Sequence, residues 1–149
     1  MRSIFHTPDR DDILQRIDNL QLQDQARWGK MKVAGMLHHC VVVENYFQGA
    51  FHVRRDFRGR LFGRVVLRKI LKDDATQLGR NAPTDPVFLV GERDFDFEIE
   101  KQNWKNLIDR YASDDIPAFT HWFFGKMSKA ELGQFVYKHA DHHLRQFGR

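Results

Sequence analysis

Histidine is the residue type whose spacing in this sequence could do chemistry. Segment 139–143 reads His-Ala-Asp-His-His, so that His139 and His143 stand four residues apart. On a helix, residues i and i+4 project from the same face, and two imidazoles placed in this way can bind one metal ion. Apolar residues of 132–136 share this face, where two imidazoles without partners would be costly to bury. The spacing therefore predicts two ligands of a metal site on the last helix.

A third ligand must come from another helix, and the adjacent pair His38 and His39 offers one. At 100° per residue, His38 points nearly opposite the apolar face of its helix, whereas His39 lies at the edge of that face. His39 is about 12 Å from the start of its helix, and His139 and His143 are about 12 and 6 Å from the end of theirs, so the three meet at one level if the helices are antiparallel. The alternative is that His139 and His143 are hydrogen-bonded core residues and that His39 is unrelated.

Three further residues have reactive side chains, but the pattern favours structural roles for them. Cys40 falls on the core face of its helix, which is typical of a packed apolar residue and not of a nucleophile. Glu44 lies on an apolar face, where it could orient a ligand or accept a proton, although a paired or snorkelling role is favoured. His121 could reach the metal region from a loop, but packing or capping is favoured. The His-Glu-x-x-His motif of metalloproteases and the Glu-x-x-His pairs of di-iron bundles are both absent.

The elements that must position these residues are predicted to be helices. Apolar residues at helical spacing indicate helices over 11–20, 31–48, 57–71, 97–112 and 128–147, the last of which opens with the capping box 128–131 and stops at Gly148. A long connector, 73–93, contains prolines, and residues 113–128 are predicted to be a loop. We therefore predict an all-α fold, namely a four-helix bundle with a short N-terminal helix and a long crossover connection, in a single domain over residues 1–149.

Composition restricts the class of protein. The 149 residues suffice for one domain with its own core, and 42% of them are hydrophobic, which excludes disordered and collagen-like chains. Cys40 is the only cysteine, so no disulfide can form within the chain. The N-terminus lacks the apolar core of a signal peptide, and no apolar run approaches the roughly 18 residues of a membrane span. We expect a cytoplasmic protein without a membrane partner.

The net charge of +4 is unevenly distributed. Residues 54–72 hold eight basic side chains and one acid, whereas residues 92–115 hold eight acids and four bases. Two solvated faces of opposite sign, or two neighbouring helices, account for this pattern. A phosphate-binding face on the basic helix is the alternative, but no nucleic-acid-binding motif accompanies it, so a nucleic-acid partner is not expected.

Four segments together resemble the DinB-like superfamily, whose members are bacterial four-helix-bundle proteins with a metal bound by three histidines. Residues 28–40 (WGKMKVAGMLHHC) resemble the superfamily itself. The other three are similar to one subgroup, a domain family of unknown function: 80–86 (RNAPTDP), 121–128 (HWFFGKMS) and 137–148 (YKHADHHLRQFG). The resemblance implies that His39, His139 and His143 are the metal ligands. The doubled His38-His39 departs from the pattern and leaves His38 as an alternative to His39.

Three imidazole ligands would leave a coordination position open for water or a substrate. Imidazole suits Zn²⁺, which we expect first, and also Ni²⁺ or Fe²⁺. Such a metal lowers the pKa of a bound water or thiol. The resemblance implies thiol-dependent transferases or isomerases, so we expect a metal-dependent thiol transferase or hydrolase acting on a small molecule with a low-molecular-weight thiol. The alternatives are a non-enzymatic protein that binds a metal or small ligand, and a purely structural bundle. A homodimer is the alternative to a monomer.

Overall fold

The computed structural model describes residues 1–91, 93–113, 116 and 118–149. Glu92, Asp114 and Asp115 of the predicted acidic segment, and Pro117 of the predicted loop, lie outside the described residues. The described part of the chain is mostly helical and contains one small sheet. Its elements are the helices α1 (Thr7–Asp18), α2 (Val33–Phe47), α3 (Phe57–Ile70), α4 (Phe97–Asp109) and α5 (Lys129–Gln146), and the strands β1 (Phe119–His121) and β2 (Gly125–Met127).

The all-α prediction is wrong in one place, because the predicted loop 113–128 contains a β-hairpin. β1 and β2 are antiparallel, and Phe119 is opposite Met127 in their register. Phe119, His121 and Met127 point into the protein while the residues between them face outward, as the two-residue period of a strand requires. Gly125 has a φ of 83°, a left-handed conformation that favours glycine where the hairpin turns.

The predicted helices are confirmed, with shifts at their ends. α1 begins at Thr7, four residues earlier than predicted, with a proline in its first turn. The predicted capping box is confirmed: Ser128 accepts from the backbone of Glu131, and the Glu131 side chain accepts from the backbone of Ser128. Gly148 follows α5 with a φ of 82°, which agrees with the predicted stop.

The core lies between α1, α2, α4 and α5. α2 packs chiefly against α4, and α1 lies against both α4 and α5. Ring contacts join α2 to α5: His39 contacts His139 and His143, and Phe47, two turns further along α2, contacts Phe135, earlier on α5. Residues later in α2 therefore contact residues earlier in α5, which shows that the two helices are antiparallel.

α3 packs on the hairpin and contributes Leu67 to the core. Gly59, Gly63 and Leu67 form its buried face. A Cβ atom at either glycine would collide with the carbonyl group of Phe123, so the absence of side chains is what allows the helix to approach the hairpin backbone. The apolar residues on the other side of α3 therefore remain at the surface.

The predicted long connector joins α3 to α4 and includes a 3₁₀ turn, Pro86–Phe88. Lys138 on α5 holds the first residues of this connector in place. Its ammonium donates to the carbonyl groups of Asp73 and Thr76 at 2.8 and 2.6 Å. Phe88 is buried at its other end, beside α2. None of the helices in the described residues is long and apolar enough to span a membrane.

Candidate metal centre

His39, His139 and His143 come together between α2 and α5. One nitrogen from each ring lies within 4.8 Å of the corresponding nitrogens of the other two. The ring centroids are 5.5 Å apart for His39 and His139, 4.8 Å for His39 and His143, and 4.7 Å for His139 and His143. His39 and His143 are buried, and His139 is partly buried. We call these three residues the histidine cluster.

The ring of His39 is oriented by the connector. Its Nδ1 lies 2.8 Å from the carbonyl oxygen of Phe88. A carbonyl oxygen can only accept, so Nδ1 carries the proton and donates, and the lone pair of the neutral ring is on Nε2. The 3₁₀ turn of the connector thus fixes the tautomer of a histidine on a different element.

His143 is oriented by Gln146 in the same way. Its Nδ1 lies 3.1 Å from Oε1 of Gln146, one turn later on α5. The amide of Gln146 is itself fixed, because its Nε2 donates to the carbonyl oxygen of Trp28 at 2.8 Å. With the amide nitrogen so engaged, the oxygen must face His143, and Nδ1 of His143 must be the donor. The Nε2 atom of His143 is left with its lone pair.

His139 differs from its two neighbours. The structure shows no hydrogen bond to its ring within the described residues, and its buried Nδ1 is without a partner. The ring lies between Phe47 and Phe135, with centroids 5.9 and 6.5 Å away. A buried ring nitrogen with no hydrogen bond is costly, and coordination of an ion by that ring would reduce the cost.

Burial determines the charge state of the cluster. Removal from water lowers the pKa of His139 well below its usual value, and the proximity of His143 and His39 lowers it further. Burial also lowers the pKa of His143 strongly and that of His39 less, since the hydrogen bond to Phe88 partly offsets the effect at His39. All three rings are therefore neutral at pH 7, which is the form that binds a metal.

The donor set fits a divalent transition metal. Three neutral imidazoles from two rigid helices are ligands that Zn²⁺, Ni²⁺ and Fe²⁺ accept. Two of the rings donate a hydrogen bond from Nδ1 to a fixed oxygen, an arrangement common among metal-binding histidines. The third ring, that of His139, is the one without a hydrogen-bond partner in the described residues.

The structure places His38, the alternative ligand, outside the cluster. Its Nδ1 lies 2.9 Å from a carboxylate oxygen of Glu100 on α4, and its ring stacks on Phe95 with the centroids 4.1 Å apart. A turn of 100° between consecutive helical residues sends His38 toward α4 and His39 toward α5. His39 is therefore the member of the pair that meets the other two histidines.

Glu44 and Cys40 are buried away from the cluster. The hydroxyl of Tyr111 donates to Oε2 of Glu44 at 2.6 Å, so that Glu44 faces the 3₁₀ turn Arg110–Ala112 that follows α4. Burial raises the pKa of Glu44 to about 8, against which the Tyr111 hydrogen bond acts. Cys40 packs against Met36, and burial raises the pKa of its thiol, which opposes a nucleophilic role at neutral pH.

His121 is a buried, neutral residue of the hairpin. Its Nδ1 accepts from the backbone N–H groups of Phe123 and Phe124 at 3.0 and 3.3 Å, and burial, with a smaller effect of Arg55, lowers its pKa to about 3. Because Nδ1 accepts, the ring proton must be on Nε2. His121 thus caps the hairpin turn, in agreement with the favoured sequence interpretation.

Two orienting groups were not predicted from the sequence. Gln146 stands three residues after His143, and this i, i+3 spacing on a helix was a readable signal. The carbonyl group of Phe88 had no such signal, because a backbone oxygen has no residue type and its approach to His39 depends on the path of the connector.

Two surface cavities lie elsewhere. One, of about 330 Å³, is lined by residues 74–78 of the connector and by side chains of α5 that include Tyr137 and Lys138. The other, of about 190 Å³, lies between β1 and the start of α5. Neither is lined by a residue of the histidine cluster.

A family model described as a protein of unknown function (DUF1569) matches residues 2–149, nearly the whole chain. Comparison with curated proteins finds no match, and comparison with solved structures finds none either.

Proposed function

The chain belongs to the DUF1569 family of proteins of unknown function, and we propose that it is a metalloprotein that binds one divalent transition metal ion through His39, His139 and His143. Zn²⁺ is the metal expected first, with Ni²⁺ or Fe²⁺ as alternatives, because all three accept imidazole nitrogen. Three protein ligands leave at least one coordination position for water or a substrate. The proposed function is that of a metal-dependent enzyme with an open site.

One observation carries the proposal: nitrogens of three histidines from two helices lie within 4.8 Å of one another. In a tetrahedral zinc site, two ligand nitrogens are about 3.4 Å apart. Side-chain rotations that shift the ring nitrogens by about 1 Å would therefore bring all three into contact with one ion. The fixed Nδ1 protons of His39 and His143 support the proposal, because they leave Nε2 of each ring as a ligand.

The reaction that we propose is the activation of a nucleophile. When bound, the metal would supply a Lewis acid that lowers the pKa of a water molecule or of a substrate thiol. His39 and His143 would hold the site rigid through Phe88 and Gln146. The resemblance to the DinB-like superfamily favours a transferase that uses a low-molecular-weight thiol, and a hydrolase is the related alternative.

A second candidate function is favoured by the position of the cavities. Neither the cavity of about 330 Å³ nor that of about 190 Å³ is lined by the histidine cluster. A small ligand held in either of these cavities would contact residues other than the proposed metal ligands. The alternative is therefore a non-enzymatic protein that binds the metal, with or without a small ligand.

The same proposal extends to the fold. We propose that α1, α2, α4 and α5 constitute a four-helix bundle of the DinB-like type. In this bundle α1, predicted to be an additional N-terminal helix, takes the place predicted for α3, and α3 and the hairpin are the additions. The contacts of α2 with α4, of α1 with α4 and α5, and of His39 with α5 support a closed arrangement of four helices. In such bundles, metal sites are built from side chains on facing helices.

Metal analysis tests the proposal. The chain, purified without a histidine tag or chelator, is expected to contain about one transition-metal ion when measured by elemental mass spectrometry. His143→Ala and His143→Gln are expected to lose this metal, whereas the matched control His142→Ala, the neighbouring residue on α5, should retain it. Circular dichroism verifies that each variant is folded. A folded His143→Gln variant with wild-type metal content would refute the ligand assignment.

Turnover separates the two candidate functions. The metal-loaded chain is assayed with a panel of low-molecular-weight thiols and electrophilic or ester substrates. Product that forms only with metal, and not with His143→Gln, supports the enzyme. Ligand-dependent thermal stabilisation without product supports the binding protein.

A further inference from the structure

Helix α3 presents an apolar surface that the chain itself does not cover. Phe57, Leu61 and Val65, spaced four residues apart, form one stripe along the helix, with exposed fractions of 73, 61 and 66%. Phe62, 59% exposed, lies beside it. Large apolar side chains that are exposed singly need no explanation, but an exposed stripe marks a site of interaction.

The orientation of this stripe is fixed by the opposite side of the helix. Gly59 and Gly63 lie against the backbone of Phe123, and Leu67 is fully buried. A rotation of α3 that buried the stripe would pull the glycine face off the hairpin and replace close backbone contact with bulky side chains. The helix is therefore held with its apolar stripe directed outward.

Positive charge flanks the stripe on both sides. At 100° per residue, Arg60 and Arg64 lie on one edge of the stripe and Arg58 and Lys69 on the other. Arg68 lies one turn beyond the end of the stripe. The helix and its C-terminal turn, residues 57–72, contain six basic side chains and no acid. Arg64 pairs with Glu131 on α5 at 2.7 Å, whereas the structure shows no ion pair within the described residues for Arg58, Arg60, Arg68 or Lys69.

Contrary to the expectation from the sequence of no membrane partner, we propose that the outer face of α3 binds the surface of an anionic lipid bilayer. An amphipathic helix with aromatic and aliphatic residues flanked by cations lies in the plane of such a surface, its apolar side chains about 5–10 Å deep and its cations among the headgroups. The rings of Phe57 and Phe62 and the branched side chains of Leu61 and Val65 provide the apolar part. This site is independent of the histidine cluster and of the function proposed for it.

Other occupants fit the same face less well. Pairing of α3 with α3 of a second copy would oppose six cations to six cations, with no acid on either helix to compensate. A nucleic acid would satisfy the cations but would leave Phe57, Leu61 and Val65 against phosphates or water. A lipid surface satisfies both parts of the face, because its hydrocarbon lies directly beneath its negative charge.

Vesicle flotation with the full chain tests the apolar part. At about 0.1 M salt the chain is expected to bind vesicles of phosphatidylcholine with about one-third phosphatidylserine, and to bind pure phosphatidylcholine at least about tenfold more weakly. The triple variant Phe57→Ser, Leu61→Ser, Val65→Ser should lose about tenfold or more of the affinity for the anionic vesicles. The control Leu22→Ser, Ile99→Ser, at exposed apolar positions elsewhere, should bind like the wild type.

A second triple variant tests the charge. Arg58→Gln, Arg68→Gln, Lys69→Gln should weaken binding to anionic vesicles about 100-fold, because each cation contributes about 1 kcal/mol. Lys30→Gln, Lys32→Gln, Lys126→Gln removes three exposed cations outside α3 and should weaken it much less. All these positions are at the surface, so the variants are expected to fold.

Three outcomes would overturn the proposal. The first is no binding to anionic vesicles. The second is unchanged binding of the serine variant, which would reduce the interaction to charge alone. The third is a dimer in sedimentation without lipid that the serine variant dissociates, which would identify a second copy as the occupant.

Discussion

The side-chain oxygen of Gln146 lies 3.1 Å from Nδ1 of His143, while its amide nitrogen donates to the carbonyl oxygen of Trp28. One glutamine thus connects a candidate metal ligand on α5 to the segment that precedes α2. The direction of the amide is fixed at both ends, so the tautomer of His143 is fixed as well.

Removing this acceptor should weaken metal binding without removing a ligand. Gln146→Leu leaves Nδ1 of His143 without its acceptor. Loss of such an orienting group typically lowers metal affinity by about 10–100-fold. Competition with a chromophoric chelator measures the affinity. Gln134→Leu, on the same helix, is the control. Equal affinities of the two variants would show that Gln146 has no part in the site.

The proposed register at the doubled histidine predicts a contrast between neighbours. His39→Ala should abolish metal binding, because it removes a nitrogen of the cluster. His38→Ala should retain it, because His38 is paired with Glu100. The absorption spectrum of the Co²⁺-loaded chain reports both number and geometry of the ligands. The assignment is reversed if His38→Ala loses the tetrahedral spectrum and His39→Ala keeps it.

The buried Glu44 should make the folded state more stable at low pH than at high pH. Its pKa is raised to about 8 in the folded chain from an ordinary value of 4.5. Between these values the folded chain binds a proton that the unfolded chain lacks, so the free energy of unfolding falls as pH rises from 4.5 to 8. Glu44→Gln, which is always neutral, should remove this component, worth on the order of a few kcal/mol.

Urea unfolding of the metal-free chain at pH 5, 6.5 and 8 measures this component as the difference between wild type and Glu44→Gln. The difference cancels the opposite contribution of the buried histidines. Glu98→Gln, at an exposed position of α4, serves as the control. A wild-type chain that gains stability relative to Glu44→Gln as pH rises would contradict the protonated state of Glu44.

His121 should have an effect of opposite sign. Its pKa is about 3 in the folded chain and 6.5 ordinarily, so below pH 6.5 the unfolded chain binds a proton that the folded chain does not, and stability falls as pH is lowered. His121→Phe should reduce this acid sensitivity. It should also destabilise the chain by about 1–3 kcal/mol, because the N–H groups of Phe123 and Phe124 lose their acceptor.

The variant His121→Asn separates these two effects. Its side-chain oxygen can accept from the same N–H groups, whereas it does not titrate. Urea unfolding should therefore show less destabilisation than in His121→Phe together with the same reduced acid dependence. An acid dependence equal to that of the wild type in both variants would assign the titration to other groups.

Helical spacing was sufficient to anticipate which side chains meet. The 100° step between His38 and His39 indicates opposite environments, and the structure shows them, with His38 on Glu100 and His39 beside His143. The capping box at Ser128 marked the start of α5 because both its residues are local in sequence. Such features are readable because they depend on contacts within one or two turns.

Features that depend on distant backbone were not readable. Each strand of the hairpin has three residues, too few for a two-residue period to stand out from a loop. The apolar residues of α3 suggested a helix buried in a bundle, but Gly59 and Gly63 turn the helix the other way. Whether a glycine provides flexibility or allows a close contact depends on the segment that packs against it, and the local sequence does not identify that segment.

The close approach of α3 to the hairpin predicts a steric effect at Gly63. A methyl group there would collide with the carbonyl oxygen of Phe123 and press on the backbone of Phe124, neither of which can rotate away as a side chain could. Gly63→Ala is therefore expected to destabilise the chain by about 1–3 kcal/mol, in spite of the higher helix propensity of alanine. The matched control is Gly79→Ala, where an added Cβ meets no atom within 4 Å. Thermal unfolding of both variants measures the difference. A Gly63→Ala variant as stable as Gly79→Ala would show that α3 is not fixed on the hairpin, and the outward direction of its apolar stripe would lose its structural cause.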